Sequence, residues 1–401
     1  MKIAFIGLII CFFNSTFLSS LAVAENNLNP DAEKFVLNTS VQYLDNYHPS
    51  LSDGIIATAF SAGVDGQLLS MHESVWLQAA YSGAYTQFKL DETELDLDDK
   101  FSQYEISLLG RFFMGNRWYV DLQGSHTEID YLLGKGIAKF RPATLTGDSE
   151  SANKVAASLV YGNGINSSDS RESKKFIWFG FSRLKQDYAD KNDYSNLFDL
   201  TRDEAELGLS IKLSDITQFE TSLQFENVDF VDDSQLDNTV YRLLLGFEWQ
   251  GTGQTRFKLL VGGYRRVYQL LADNQGLLAE LDAVYAPQSN LSISLKGSQA
   301  TATALVENAL DTIIRSVGFS INYAYKEHVE FVFRANVSHT QYEQIGADQT
   351  SAERAIGLTS NVSIYDYSTV SLVLQRESLD NDFLSMDYVQ NKVELKCRYA
   401  F

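Results

Sequence analysis

The feature that most constrains the fold is an alternation of apolar with polar or small residues, repeated along segments of roughly 10 to 15 residues. Near the C-terminus, one set of alternate positions carries Val393, Leu395, Cys397, Tyr399 and Phe401. The intervening positions carry Lys392, Glu394, Lys396 and Arg398. Side chains alternate between the two faces of an extended strand, so a period of two predicts strands with one apolar and one polar face.

The pattern occurs in eighteen segments, and their number and connections predict how they assemble. The segments begin near Phe35, Gly54, Glu73, Lys100, Asn116, Ala152, Lys174, Leu200, Gln218, Asp237, Gln254, Gly276, Asn290, Asp311, His328, Ala352, Ser368 and Tyr388. Brief connections interleave with longer ones, as periplasmic turns and external loops do in an antiparallel outer-membrane barrel. An even strand count also returns both chain ends to the periplasmic side.

Proline placement supports this assignment. All four prolines, Pro30, Pro49, Pro142 and Pro287, precede the first segment or lie in connections. A soluble sandwich or propeller is the alternative, but its strands are usually shorter, with a mode of about 5 to 6 residues. We therefore predict an all-β chain that forms a single antiparallel transmembrane β-barrel of the outer-membrane type, with about 18 strands.

The N-terminus has a different composition. Lys2 is the only charged residue of the first 24, residues 3–13 form an apolar run, and the sequence Ala-Val-Ala at 22–24 is typical of a cleavage site. We predict a signal peptide at 1–24, a short N-terminal periplasmic segment at 25–34 and the transmembrane barrel at 35–401, in the outer membrane of a Gram-negative bacterium. No later window holds about 18 uninterrupted apolar residues, so no membrane-spanning helix is expected.

Charge and histidine content bear on other classes of function. The chain has 52 Asp and Glu against 32 Lys and Arg, a formal net charge of −20, and no clustered basic stretch, which excludes a nucleic-acid partner. None of the five histidines lies in a nucleophile or metal-binding pattern; they are His48, His72, His126, His328 and His339. We expect no enzyme, no cofactor and no metal, and an outer-membrane enzyme or an adhesin acting through external loops is the lower alternative.

A closed barrel of about 16 to 18 strands has an interior too wide for side chains to fill, which predicts an aqueous pore. Its predicted lining, taken from the polar faces, is Glu204, Glu206, Lys212, Arg242, Glu248, Lys258, Glu330, Arg334, Lys392, Glu394, Lys396 and Arg398, together with Glu280, Asp282 and Lys296. Two interpretations stay open: a solvated lumen with structural ion pairs, or a track for a polar and sometimes charged polymer.

One long connection, at 131–151, is a candidate constriction. It is basic, with Lys135, Lys139 and Arg141 among glycines and a proline. If it folds into the lumen, it narrows the pore and adds positive charge there. The alternative is an outward loop that contacts lipopolysaccharide.

The terminal strand carries a second candidate feature. Tyr399 and Phe401 share one face, and the chain ends on the aromatic ring of Phe401. This ending resembles the C-terminal signal that the barrel assembly machinery recognises. A lipid-facing aromatic in the membrane-interface girdle would satisfy the same position.

Several stretches resemble the outer-membrane family called β-barrel porin 2, which is associated with exopolysaccharide production and export. These are LDNTVYRLLLGFEW at 236–249, FKLLVGGY at 257–264, LDAVYAP at 281–287, LSISL at 291–295 and GFSINYAY at 318–325. The resemblance implies a channel that serves as a conduit or accessory pore for exopolysaccharide export. Its partners would be periplasmic polysaccharide-export proteins and the polysaccharide, besides outer-membrane lipid and lipopolysaccharide. The alternative is a general or substrate-selective diffusion porin for small solutes.

Overall fold

The computed structural model describes residues 35–47, 55–91, 98–115, 117–131, 147–163, 174–189, 195–232, 234–303, 309–344, 348–365, 367–382 and 387–401. The predicted signal peptide and the segment at 25–34 lie outside these residues, so both stay predictions. Two short 3₁₀ helices, Ser195–Phe198 and Ser234–Leu236, are found in the connections. Within the described ranges, no helix has the length and apolar character needed to cross a membrane.

Eighteen strands are found in the described part of the chain, and each begins within three residues of its predicted start. They are β1 Phe35–Leu44, β2 Ala57–His72, β3 Val75–Leu90, β4 Lys100–Met114, β5 Trp118–Asp130, β6 Ser149–Asn163, β7 Lys174–Tyr188, β8 Leu200–Lys212, β9 Thr217–Phe230, β10 Asn238–Thr252, β11 Thr255–Tyr268, β12 Asn274–Gln288, β13 Leu291–Ala302, β14 Ala309–Lys326, β15 Val329–Gln344, β16 Gln349–Tyr365, β17 Ser368–Asn381 and β18 Tyr388–Ala400.

The sheet closes on itself. Each strand pairs with the next along the chain, and β1 pairs antiparallel with β18 over nine residue pairs, from Val36 with Ala400 to Leu44 with Lys392. Beyond this ladder the N–H of Phe401 donates to the carbonyl of Phe35 at 2.9 Å. Closure leaves no free strand edge, which is the condition for a sheet to exist in hydrocarbon. The predicted antiparallel barrel of 18 strands is confirmed. The predicted position of one proline is wrong: Pro287 lies inside β12, at the register irregularity between Tyr285 and Gln288, where a proline is tolerated.

The two ends of the barrel differ, and we call them the turn end and the loop end. The turn end carries both chain termini of the barrel and connections as short as residues 73–74, 253–254, 289–290 and 327–328. One connection there, 164–173, is longer. The loop end carries the connections that follow the odd-numbered strands, including 91–99 and 131–148. In outer-membrane barrels the short turns and the termini are periplasmic, so the loop end is the external one.

The outer face is apolar, as predicted. Along β10, Tyr241, Leu243 and Leu245 are 41–49% exposed on the outer face, while Arg242 and Leu244 between them are buried. At the turn end, ring centroids lie 5.3 Å apart for Tyr365 and Tyr367, 5.2 Å for Tyr367 and Tyr399 and 4.8 Å for Tyr399 and Phe401. An apolar band bordered by an aromatic girdle is the surface of an outer-membrane barrel, which confirms the predicted location.

The inner face is less uniformly polar than the alternation predicts. Val240, Leu244, Leu260, Tyr264 and Leu278 form a buried apolar cluster inside β10–β12. Other inward clusters lie at the loop end of β1–β4, around Tyr47 and Phe88, and of β7–β10, around Tyr188 and Phe198. Parts of the wall are therefore thickened by packed side chains and do not face open water.

Candidate functional site in the barrel interior

The first part of the site is an arginine–glutamate–arginine group on three neighbouring strands. Arg202 of β8, Glu226 of β9 and Arg242 of β10 occupy the inward phase of their strands. Arg242 Nη2 lies 2.6 Å from Glu226 Oε2, and Arg202 Nε lies 3.7 Å from Glu226 Oε1. The Glu226 side chain is 5% exposed, so both arginines compensate a carboxylate that water does not reach.

The second part is a fully buried ion pair between Arg266 of β11 and Asp311 of β14. Their side chains are 0% exposed, and Arg266 Nε lies 3.3 Å from Asp311 Oδ1. Arg266 also donates to Asn238 Oδ1 at 2.7 Å and to Thr301 Oγ1 at 3.2 Å. Asp311 accepts from the Tyr264 hydroxyl at 2.7 Å and from the Thr301 hydroxyl at 2.5 Å. Since β11 and β14 are three strands apart, these side chains meet inside the barrel.

A hydrogen bond spans still more of the circumference. Arg202 Nη2 of β8 donates to Oγ1 of Thr303, the residue after β13, at 3.3 Å. The two residues are five strands apart along the wall, so their contact crosses the interior. The two groups are neighbours, because Arg266 also interacts electrostatically with Glu226. We call them together the lumen network; its members are Arg202, Glu226, Arg242, Arg266, Thr301, Thr303 and Asp311.

A neighbouring contact lies between the network and the loop end. The hydroxyl of Tyr131, which follows β5 directly, donates to Glu150 Oε2 at 2.5 Å. The pKa of Tyr131 is raised, mainly because the hydroxyl is buried and secondly because the Glu150 carboxylate is close to it. The Tyr131 hydroxyl therefore stays neutral and acts as a hydrogen-bond donor. The constriction candidates Lys135, Lys139 and Arg141 belong to the connection that begins here and lie outside the described residues.

The structure places the first twelve predicted lining residues, from Glu204 to Arg398, on the inward phase of their strands. Several are ion-paired. Arg242 joins the lumen network, Lys258 Nζ lies 2.9 Å from Glu220, and Lys392 and Lys396 lie 3.1 and 3.3 Å from Glu394. Lumen-facing ion pairs are thus common, and a role of these residues in passage stays a prediction.

The other candidates are dispersed. Glu204 accepts from Ser182 at 3.2 Å, Lys212 pairs with Asp215 at the turn end, and Glu330 accepts from Asn361 at 3.0 Å. Glu206 is buried on β8, Glu248 lies opposite Lys258 in the β10–β11 register, and Arg334 and Arg398 are exposed. Asp282 lies 3.5 Å from Arg256 and 4.0 Å from Lys296, and Glu280 lies on the same strand as Asp282. These residues do not converge on one site.

The inner face carries a cleft at the turn end of β14–β18. A cleft of about 520 Å³ lies there between Asn38, Glu330, Asn361, Ser371 and Lys396. The inner face thus carries a polar cleft at the turn end and a side-chain network nearer the loop end.

The histidines and acidic residues were also candidates for catalysis or metal binding. His126 lies on the outer-facing phase of β5, where its Nε2 is 3.2 Å from the Tyr104 hydroxyl and its Nδ1 is 2.9 Å from Asn153 Oδ1. Among the described residues, no group of three or more His, Cys, Asp or Glu side chains could hold a metal ion.

Comparisons with known proteins indicate the fold. No family model matches the chain, and no curated protein matches its sequence. Several solved structures are similar to the chain in fold. The BenF-like porin from Pseudomonas fluorescens Pf-5 has a TM-score of 0.50 at 9% identity, with 92% of this chain and 99% of that chain covered. Pseudomonas aeruginosa OccK2 (OpdF) in complex with glucuronate has a TM-score of 0.51 at 12% identity. P. aeruginosa OpdK with vanillate has a TM-score of 0.51 at 10% identity. In both comparisons, 92% of this chain and 98% of the other chain are covered.

The fold therefore defines a porin-like outer-membrane β-barrel, with a charged and partly obstructed interior. At such low identity, the likeness concerns the fold. The resemblance to the β-barrel porin 2 family rests on its sequence stretches alone and stays a prediction.

Proposed function

We propose that this protein is an outer-membrane diffusion channel for small polar solutes. The observation that carries the proposal is the contact between Arg202 and Thr303, which joins wall positions five strands apart across the interior. A channel narrowed in this way passes small molecules more readily than a hydrated polymer. Its lining of charged and hydroxyl groups suits polar solutes, because these groups replace part of the hydration shell.

The lumen network also favours anions. Its charged members are three arginines and two carboxylates, so guanidinium groups are its most numerous charged groups. Guanidinium groups recognise carboxylates and phosphates through paired N–H donors. The solved porins of similar fold include one in complex with glucuronate and one with vanillate, which are small organic anions. Small anions are therefore the solute class that we assign to this channel.

Exopolysaccharide export, with periplasmic export proteins and polysaccharide as partners, is the hypothesis that the sequence resemblance implies. It requires a wide path or a gate, whereas the network narrows the interior from β8 to β14. The diffusion channel is the better supported of the two.

The proposal is tested with purified protein in proteoliposomes, using swelling rates in isotonic solutes of increasing size. We expect rapid swelling with monosaccharides, slow swelling with trisaccharides and none with dextran polymers. At equal size, glucuronate should enter faster than glucose, because the arginines attract the carboxylate. Rapid passage of dextran, or loss of secreted polysaccharide from a strain that lacks the gene, would contradict the proposal and favour the export conduit.

A further inference from the structure

Three arginines occupy the lipid-facing side of the barrel, where charge is costly. Arg315 of β14, Arg354 of β16 and Arg376 of β17 are all exposed and share the outer phase of their strands with apolar neighbours. Val317 is 56% exposed beside Arg315, Ile356 is 49% exposed beside Arg354, and Leu374 is 42% exposed beside Arg376. We call these three residues the outer arginine row.

The strand register places the row at one height in the membrane. Arg315 pairs with His339 of β15, whereas Arg354 pairs with Val337, two residues nearer the turn end. Arg376 likewise lies two residues nearer the turn end than Ser378, the partner of Arg354. A tilt of about 40° requires a shift of about one residue per strand to keep the same height. The three arginines satisfy this within about one residue.

The turns confirm the sense of the tilt. Val329, the first residue of β15, pairs with Val362, three residues before the end of β16 at Tyr365. Moving from β15 to β16 at constant height thus means moving toward the turn end, as it does along the arginine row.

The height of the row corresponds to the external membrane interface. Arg315 lies eight residues from the girdle residue Tyr323 along β14, with Val317, Phe319 and Ile321 as the outward residues between them. At about 3.3 Å per residue and a tilt of about 40°, this separation is about 20 Å across the membrane. The apolar band of such barrels is about 25 Å tall, so the guanidiniums lie at its loop-end border, level with the headgroups of the outer leaflet.

No member of the row forms an ion pair among the described residues, although Glu343 of β15 is close enough to Arg315 to interact with it electrostatically. Arg315 donates to the neutral Gln299 at 3.1 Å and to Gln341 at 3.4 Å, and neither Arg354 nor Arg376 forms an ion pair within the described ranges. Along β17, the outward carboxylate of Asp380 lies four residues beyond Arg376 toward the loop end, and Asp348 accepts from Gln341, the neighbour of Arg315, at 3.0 Å.

Other outward arginines on the barrel are paired, whereas the outward Lys89 of β3 and Lys100 of β4 form no ion pair among the described residues. Arg183 of β7 donates to both carboxylate oxygens of Asp203, at 2.6 and 2.5 Å, and Arg265 of β11 lies 2.7 Å from Asp273. What distinguishes β14–β17 is that three guanidiniums lie close together at one height of the membrane and none of them has a carboxylate within ion-pair distance among the described residues. An anion from outside the chain would compensate their charge at the lipid interface.

We propose that the outer arginine row binds the phosphate groups of lipopolysaccharide in the outer leaflet. The three strands span about 15 Å of the wall at about 4.8 Å per strand, which suits a headgroup with more than one phosphate. Guanidinium binds phosphate in a bidentate manner, and the apolar residues directly below each arginine contact the acyl chains of the same molecule. The occupant is a lipid rather than free phosphate, because the arginines face the phosphate groups and the apolar residues below them face the acyl chains.

The test uses the full-length barrel in phosphatidylcholine nanodiscs with added bisphosphorylated lipid A, and native mass spectrometry to count the lipid A molecules retained. The triple variant Arg315→Gln, Arg354→Gln and Arg376→Gln should retain about tenfold less, since each lost guanidinium removes a charge-assisted contact. The matched control, Arg183→Gln with Arg265→Gln, removes outward arginines that already have carboxylate partners and should bind as the wild type does.

Two further arms define the ligand. Dephosphorylated lipid A should bind the wild type as weakly as the triple variant binds the intact lipid, and excess inorganic phosphate should not displace lipid A. If the triple variant fails to assemble, as judged by heat-modifiable migration, the single variant Arg354→Gln serves and should show a smaller loss. Undiminished retention by the arginine variants, an equal loss in the control, or equal binding of phosphatidylglycerol would overturn the proposal.

Discussion

Arg202 of β8 donates a hydrogen bond to Oγ1 of Thr303 at 3.3 Å, although five strands separate the two residues along the barrel wall. A closed barrel of this size does not require such contacts, because its backbone hydrogen bonds are all made between neighbouring strands. The contact instead belongs to a network that includes the fully buried pair of Arg266 and Asp311. The same residues therefore bear on both the stability of the wall and the width of the passage.

Asp311→Asn should strongly destabilise the barrel. Arg266 is 0% exposed, and the substitution leaves its charge buried without the carboxylate that compensates it. Removing one partner of a buried pair costs about 3 to 5 kcal/mol. The free energy of unfolding, measured by denaturant titration in lipid vesicles, should fall by this amount.

The control for this prediction is Asp273→Asn. It removes the carboxylate partner of Arg265, whose side chain is 63% exposed, so solvent replaces the interaction at a cost of at most about 1 kcal/mol. Equal stability losses for Asp311→Asn and Asp273→Asn would show that the interior pair is not buried as described.

Adjacent residues of β17 test the inside–outside phase. Leu372 is 43% exposed on the outer face, and Ser371 lines the open cleft on the inner face. Leu372→Arg should cost about 2 to 4 kcal/mol because it places a cation in hydrocarbon, whereas Ser371→Arg should be tolerated. Heat-modifiable migration and the unfolding free energy of both variants give the readout, and a reversed order would mean that the phase is inverted.

The strands could be predicted because their signal is local. Each alternating segment carries its own phase, so the apolar face of β18 can be identified from Val393 to Phe401 without knowledge of any neighbour. The number of strands then follows from counting the segments. Closure of the barrel follows because the backbone N–H and C=O groups of every strand need hydrogen-bond partners in a membrane.

The lumen network could not be predicted in the same way. Arg242 was among the predicted lining residues, and Arg202, Glu226 and Arg266 share its inward phase, but which of them meet depends on contacts across three to five strands. Asp311 lies beside a register irregularity between Ala309 and Asp311, which disrupts the alternation from which its direction would be inferred. Sequence pattern gives the face of a residue, and the curvature of the wall decides its partners.

Phe401→Ser should slow assembly if the terminal aromatic is recognised as a signal. Tyr325→Ser is the matched control, because Tyr325 is also an outward aromatic at the turn end, 58% exposed against 73% for Phe401. In a pulse-chase experiment, unassembled protein that is sensitive to protease should accumulate in the periplasm for Phe401→Ser and not for Tyr325→Ser. Equal accumulation for both variants would mean that Tyr399 and Phe401 act only as girdle residues.

Glu226→Gln should shift ion selectivity toward anions. It removes a carboxylate that lies between Arg202 and Arg242 and leaves both positive charges in place. The reversal potential in a salt gradient across a planar bilayer measures the shift. Asp203→Asn, which removes a carboxylate on the outer face, should leave the reversal potential unchanged, and an equal shift would show that the measured field does not arise in the interior.

The most direct test of the channel is the single-channel conductance of Arg202→Ala in planar bilayers. Removing this side chain breaks the contact with Thr303 and should widen the passage, so conductance should increase while heat-modifiable migration stays that of the folded barrel. Arg183→Ala, which removes an arginine from the outer face of the neighbouring strand, should conduct as the wild type does. An unchanged conductance for a folded Arg202→Ala barrel would contradict the claim that the lumen network limits passage.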